Sequence, residues 1–168
     1  MSDQTPMQVA VVDNKITLSR TYDAPKELVF SMFKNPEQLA KWWGPAEWPA
    51  TIAAFDFTEG GVWHYYMTGP DDTKAWGKAT FKTIDEPNSL SFVDVFSDEQ
   101  GTVDSKLPEG EATFTFDETD GKTTLSSIST YQTAEEVQKL VEMGMLEGVK
   151  DTWNQLDTLI DASQKSNT

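Results

Sequence analysis

The run Trp42-Trp43-Gly44-Pro45 places two large apolar rings directly before two residues that end a helix. Upstream, a proline stands at the start of each of two short segments, where a missing backbone donor is tolerated, and apolar residues follow at helical spacing. The first segment begins at Pro25 and the second at Pro36. The sequence therefore predicts two short helices, the second ending at the tryptophan pair.

Beyond Pro45 the apolar pattern changes to a period of two, which indicates strands. Turns rich in Gly, Pro, Asn and Asp separate these strands, as in an antiparallel meander. One further strand is predicted before the helices, from Val9 to Tyr22, with Ile16, Leu18 and Arg20 on one face. The later strands are predicted near residues 50–57, 62–68, 75–84, 90–96, 112–118 and 123–131.

The C-terminal segment predicts one long helix. Thr133 and Glu136 form a capping box, so the helix should run from about Ala134 to Ala162. Gly144 and Gly148 would lie on one face of this helix, where glycine costs about 1 kcal/mol each. Their presence is explained either by a ligand or strand in close approach or by a bend in the helix. An apolar stripe follows the same helix at Leu146, Val149, Trp153, Leu156 and Ile160.

These patterns predict an α+β fold in which a curved antiparallel sheet wraps around the C-terminal helix. At 168 residues the chain has the size of a single domain. We expect a flexible tail over residues 1–8, the domain over residues 9–162 and a disordered end over residues 163–168.

Composition excludes several classes of function. The chain has 13 basic and 28 acidic residues, a net charge of −15. We therefore expect no nucleic acid and no anionic membrane as a partner, because both require clustered Lys and Arg. Cysteine is absent, so disulfides and thiolate chemistry are excluded. The polar N-terminus lacks the character of a signal peptide, and we expect a cytoplasmic protein.

Four motifs, taken in chain order, resemble the family named for the activator of the heat-shock protein 90 ATPase, a member of the START-like or helix-grip superfamily. The resemblance covers roughly residues 15 to 161 and implies a hollow space between sheet and helix. The motifs are the segment from Ile16 to Phe30, the run from Trp42 to Pro45, Gly60-Gly61-Val62-Trp63, and the segment from Gly144 to Gly148. The positions that the resemblance places at the ligand site are Trp42, Trp43, Trp63, Tyr65, Met67, Phe81, Phe92, Asp94, Ser127, Met145, Gly148 and Trp153.

Little in the sequence indicates catalysis. His64, the only histidine, alternates with Trp63, Tyr65 and Met67, so it should point away from the inner face of the sheet. Asp94 falls on the same face as Leu90, Phe92 and Phe96, where burial would raise its pKa. Two alternatives stay open: Asp94 is solvated near the end of the strand, or a bulge turns its side chain outward. The resemblance implies an apolar or aromatic residue at that position, so Asp94 departs from the family pattern. We find no metal-ligand cluster, phosphate loop or catalytic constellation, and we expect no cofactor.

The leading hypothesis is a binding protein, monomeric or dimeric, for a small hydrophobic ligand that is aromatic or polycyclic. We expect Trp42 and Trp63 to contribute to its internal cavity. The first alternative is a cavity enzyme of the cyclase or hydratase type, with Asp94 and Tyr65 as its acting groups. The second, implied by the family name, is a module that stimulates a chaperone ATPase.

Overall fold

The structure, a computed structural model, describes residues 7–44, 46–103 and 109–165. These residues form one antiparallel sheet and four helices, which confirms the predicted α+β, helix-grip arrangement. The strands are β1 (Gln8–Val12), β2 (Lys15–Tyr22), β3 (Ala50–Phe55), β4 (Val62–Thr68), β5 (Lys74–Asp85), β6 (Ser89–Ser97), β7 (Gly110–Thr119) and β8 (Lys122–Thr130). The helices are α1 (Lys26–Lys34), α2 (Pro36–Trp42), α3 (Ala134–Glu142) and α4 (Met145–Lys165).

All eight strands pair antiparallel, in the order β1-β2-β8-β7-β6-β5-β4-β3. From β3 to β8 each strand lies beside the next one in the chain. The helices α1 and α2 lie in the connection from β2 to β3. This connection crosses the sheet, because β2 is second in the order and β3 is at its far edge. The predicted meander and both short helices are therefore confirmed.

The first predicted strand, Val9 to Tyr22, is wrong as a single element. It is a hairpin of β1 and β2, with a turn at Asp13 and Asn14. Asp13 has a φ of +54°, a conformation that aspartate tolerates better than most residues. Strand β1 starts at Gln8, within the predicted tail, whereas residues 1–6 lie outside the described residues.

The long C-terminal helix is also corrected. Helix α3 ends at Glu142 and α4 begins at Met145, because Gly144 takes a φ of +88°, which a helix cannot contain. A Cβ atom at Gly144 would have no neighbour within 4 Å, so a break in the helix and not a close neighbour explains this glycine. Gly144 therefore lies outside both helices, and its backbone oxygen accepts a hydrogen bond from the Gly148 N–H. Helix α4 continues to Lys165, through part of the predicted disordered end.

The C-terminal half of α4 packs against a closely packed core. Phe33 lies at its centre, with ring centroids 4.9 Å from Trp42 and 5.4 Å from Phe116. Leu156 and Ile160 of α4 are buried there, as the predicted stripe requires. This packing fixes α4 across the sheet and leaves the N-terminal half of the helix over the remaining strands.

A buried polar contact also joins α4 to β2. The Arg20 guanidinium lies 3.6 Å from the Asp157 carboxylate and donates a hydrogen bond of 2.6 Å to Asn154 Oδ1. The hydroxyl of Tyr22 donates to the backbone oxygen of Trp153 at 3.1 Å. Arg20 therefore lies on the buried face of β2, as predicted, and it connects that strand to the helix.

Candidate functional site

A cavity of about 430 Å³ lies between the sheet and the N-terminal half of α4. Strands β2 and β4 to β8 contribute its wall, together with the chain after α2 and the α3–α4 corner. Its wall is mostly apolar. Three of the lining residues, Ala75, Met143 and Gly144, are exposed and mark its mouth.

The structure brings nine of the twelve predicted site residues together around this cavity. Trp43 follows α2 in an extended conformation, which turns its indole away from the core position of Trp42 and towards the cavity. The N–H of the Trp42 indole donates instead to the Met32 backbone oxygen within the core. The nine lining residues are Trp43, Tyr65, Met67, Phe92, Asp94, Ser127, Met145, Gly148 and Trp153.

Trp42, Trp63 and Phe81 do not line the cavity, and the expectation for these three is wrong. All three are at most 2% exposed and belong to the aromatic core. The inner face of β4 packs against the core at one end and borders the cavity at the other. Trp63 therefore packs against Phe81, whereas Tyr65 and Met67 line the cavity. Alternation along a strand identifies its inner face but not where along that face the packing stops.

Asp94 and Tyr65 form the central polar pair of the cavity wall. The Tyr65 hydroxyl lies 3.1 Å from one carboxylate oxygen of Asp94 and 3.3 Å from the other, and donates to the carboxylate. Burial raises the pKa of Asp94 to about 7, although the hydrogen bond from Tyr65 acts in the opposite direction. Asp94 lies inside β6, is half-buried and lines the cavity, so it is neither at a strand end nor turned outward.

The two phenols beside Asp94 stay protonated at neutral pH. Burial and, secondly, the Asp94 charge raise the pKa of Tyr65 well above 10. The Trp43 indole N–H opposes this shift, although its position falls short of hydrogen-bond geometry. Burial, the Asp94 charge and the Glu136 charge raise the pKa of Tyr131 to about 12. Asp94 is therefore the member of this group that titrates near pH 7.

His64 lies on the opposite face of the sheet, as predicted. Its ring centroid is 4.7 Å from that of Trp76, and its Nε2 atom is 3.1 Å from the Asp98 backbone oxygen. The residues that the structure describes hold no group of three or more His, Asp or Glu side chains able to bind a metal ion. Within the same ranges, no helix combines the length and the apolar character that crossing a membrane requires.

Residues 23–161 match the family model described as Activator of Hsp90 ATPase homolog 1-like protein. The chain belongs to this family. A solution NMR structure of a protein from Arthrobacter aurescens is 38% identical, with a TM-score of 0.87 over 94% of this chain and 91% of that one. A crystal structure of a protein from Mycobacterium smegmatis is 36% identical, with a TM-score of 0.83 over 94% and 96%. No curated protein matches the chain.

In this member of the Activator of Hsp90 ATPase homolog 1-like family, two glycines that sequence reasoning missed make room for the phenols. A Cβ atom at Gly77 of β5 would collide with the Tyr65 ring, and one at Gly110 of β7 would lie 2.6 Å from the Tyr131 ring. A glycine inside a strand is a recognised sign of close approach, and this signal was available in the sequence. The cavity hydroxyls of Ser129, Tyr131 and Thr152 were missed as well.

Proposed function

We propose that this protein binds a small, largely apolar ligand, aromatic or polycyclic, in the cavity between the sheet and α4. One observation carries the proposal: a cavity of about 430 Å³ has a mostly apolar wall with the Tyr65–Asp94 pair set in it. Ligand sites in proteins have this size and this combination of apolar walls with a few placed polar groups.

The nature of the wall supports a ligand with some variation in shape. Met67 and Met145 lie on opposite sides, one from β4 and one from α4. Methionine side chains are flexible and polarizable, so they adapt to rings of different outline. Trp43 and Phe92 provide rigid aromatic surface, with ring centroids 6.4 Å apart.

Intrinsic fluorescence tests the proposal. Saturation with a bound flavonoid or steroid should quench or shift the emission, because the Trp43 indole lines the cavity. The variant Trp43→Phe should reduce this response, and Trp153, which also lines the cavity, should account for part of what is left. Trp48→Phe is the matched control, since Trp48 packs against Gly69 and is not in the cavity wall. A broad panel that leaves the emission and the calorimetric signal of the wild type unchanged would contradict ligand binding.

A cavity enzyme of the cyclase or hydratase type is the second candidate, and the pKa of Asp94 is the observation that favours it. A carboxyl group with a pKa of about 7 can accept or donate a proton at neutral pH. Turnover of a ligand found in the first experiment would support this candidate. Asp94→Asn should then abolish turnover while leaving binding largely intact.

A chaperone ATPase partner stays a prediction that rests on the family description. Its test is independent of the cavity. The purified chain should stimulate a heat-shock protein 90 ATPase in a steady-state assay, and an unchanged rate at saturating concentration would contradict it.

A further inference from the structure

Asp94 is the one charged side chain among the described residues that line the cavity. No Lys, Arg or His side chain in the described ranges lies within ion-pair distance of it. Its hydrogen-bond donor among those residues is the Tyr65 hydroxyl, which supplies a single proton. A carboxylate can accept about four hydrogen bonds, so Asp94 has accepting capacity that faces the cavity.

We infer that the ligand carries a basic nitrogen, and that its ammonium group binds to the Asp94 carboxylate within the aromatic wall of the cavity. This inference rests on the proposed function and specifies the class of its ligand: an aromatic or polycyclic amine. An ammonium group supplies both the missing positive charge and the missing donors.

The other polar groups of the wall agree with this assignment. Apart from Asp94, the polar side chains are hydroxyls and indoles, which include Ser127, Ser129 and Thr152. An anionic ligand would find no cation among the described residues of the wall and would be repelled by Asp94. A neutral ligand could be accommodated, but it would leave an ionised Asp94 without a counter-charge in a mostly apolar space.

Aromatic faces next to the carboxylate favour a cation as well. The rings of Trp43 and Tyr65 lie edge to face with centroids 6.1 Å apart, and Tyr65 is hydrogen-bonded to Asp94. Cations are attracted to such faces, most strongly to tryptophan. The net charge of −15 acts over a longer range and raises the local concentration of cations over that of anions.

The groups around Asp94 make the binding of an amine dependent on pH. Tyr65 faces it from β4 and Tyr131 from the end of β8, and both phenols remain neutral through pH 7. Its neighbours across the sheet, Ala79 of β5 and Gly110 of β7, do not titrate. An ammonium group would favour the ionised form of Asp94, so binding near pH 7 should release a proton, and affinity should rise with pH up to about 8.

Three isosteric probes test the inference: 1-naphthylmethylamine, 1-naphthylmethanol and 1-naphthoate. Calorimetry at pH 7.5 should give an affinity for the amine at least about tenfold above that for the alcohol, and no binding of the acid, because a hydrogen bond to a charged group is among the stronger ones. Repeating the titration in buffers with different ionisation enthalpies should reveal proton release with the amine alone.

Two variants locate the effect. Asp94→Asn should lower the affinity for the amine about tenfold and end the proton release, while the affinity for the alcohol changes by less than about threefold. Asp117→Asn removes the same charge from an exposed position on β7 and should leave all three affinities unchanged. Thermal melting of both variants establishes that they are folded.

The possible outcomes separate this inference from the proposed function. Equal affinity for amine and alcohol, or an amine affinity that Asp94→Asn does not change, would overturn the inference and leave a hydrophobic ligand site in place. Tighter binding of the acid than of the amine would overturn it too. Failure of all three probes, together with the flavonoid and steroid panel, would overturn both proposals.

Discussion

Two carboxylates lie between the sheet and α4, one at each end of the interface, and their surroundings differ. Asp157 is on the closely packed half of α4, 3.6 Å from the Arg20 guanidinium, with side-chain exposures of 8% and 2%. Asp94 lies at the hollow end, where its donor among the described residues is the Tyr65 hydroxyl. Among the residues that the structure describes, the first carboxylate has a cation beside it, and the second has none and faces the cavity. We interpret Asp157 as part of the fold and Asp94 as part of a site.

The packing of the surrounding side chains also differs between the two carboxylates. Near the Asp157 end, aromatic rings pack with centroids about 5 Å apart, as in Phe30 with Phe116 at 5.1 Å and Phe33 with Trp42 at 4.9 Å. Near Asp94, residues such as Gly77, Gly110 and Met67 border open volume. One half of the interface between sheet and helix is therefore filled, which stabilises the fold, and the other is left accessible.

The largest expected effect concerns the packed end. Arg20→Met should lower the free energy of unfolding by about 3–5 kcal/mol, because it leaves the Asp157 carboxylate buried without its cation. Urea denaturation at pH 7, followed by circular dichroism, measures this change. The double variant Arg20→Met/Asp157→Leu should recover most of the loss, since a well-packed apolar pair can replace a buried ion pair. A loss below about 1 kcal/mol would show that Asp157 behaves like a solvated group.

The second prediction concerns the hollow end and uses pH. The pKa of Asp94 is about 7 in the folded protein against an ordinary 3.8, so the folded form keeps a proton that the unfolded chain loses. Its contribution to stability is therefore complete below pH 4 and disappears as the pH rises through 7. Between pH 4 and 8 the wild type should lose up to about 4 kcal/mol relative to Asp94→Asn.

Paired urea titrations of the wild type and Asp94→Asn across this range measure the difference. Asp117→Asn serves as a control for the removal of one negative charge, because residue 117 is exposed on β7. A constant difference between the wild type and Asp94→Asn from pH 4 to 8 would mean that Asp94 is ionised throughout, like a surface carboxylate.

The sequence predicts the fold well because its signals are local. Proline and asparagine at helix starts, alternation in the strands and turn residues between them all act within a few positions. The Asn35 side chain accepts a hydrogen bond of 2.9 Å from the Glu37 backbone, as its position before Pro36 suggests. The two errors, at Asp13 and Gly144, are backbone conformations with positive φ inside segments whose side-chain pattern continues.

The site is predicted less completely because its decisive features depend on contacts between distant residues. Alternation places Asp94 on the inner face, but it does not pair Asp94 with Tyr65, which is 29 positions away. It also treats Trp63 and Tyr65 alike, although one is packed and the other faces the cavity. Likewise, nothing in the spacing of Arg20 assigns Asp157 as its partner.

The smallest effect concerns the glycine that makes room for Tyr65. In Gly77→Ala the new methyl group would collide with the Tyr65 ring, so the ring must move, and the cavity that it borders leaves room for this. We expect a loss of about 1–3 kcal/mol in the free energy of unfolding, the usual cost of overpacking. The shift should also weaken the hydrogen bond to Asp94. Because that bond lowers the pKa of Asp94, the carboxyl group should titrate at a higher pH in the variant.

Gly69→Ala is the matched control for this last experiment, since its methyl group would collide with the Trp48 ring, outside the cavity wall, and leave the Tyr65 hydrogen bond in place. Carboxyl ¹³C NMR of Asp94 through a pH titration compares the two variants directly. Both should be destabilised, but only Gly77→Ala should move the titration of Asp94 upward. Equal titration midpoints in the two variants would mean that the phenol of Tyr65 does not control this carboxylate. The contrast between the two ends would then rest on burial and on the cation that Asp157 has and that Asp94 lacks among the described residues.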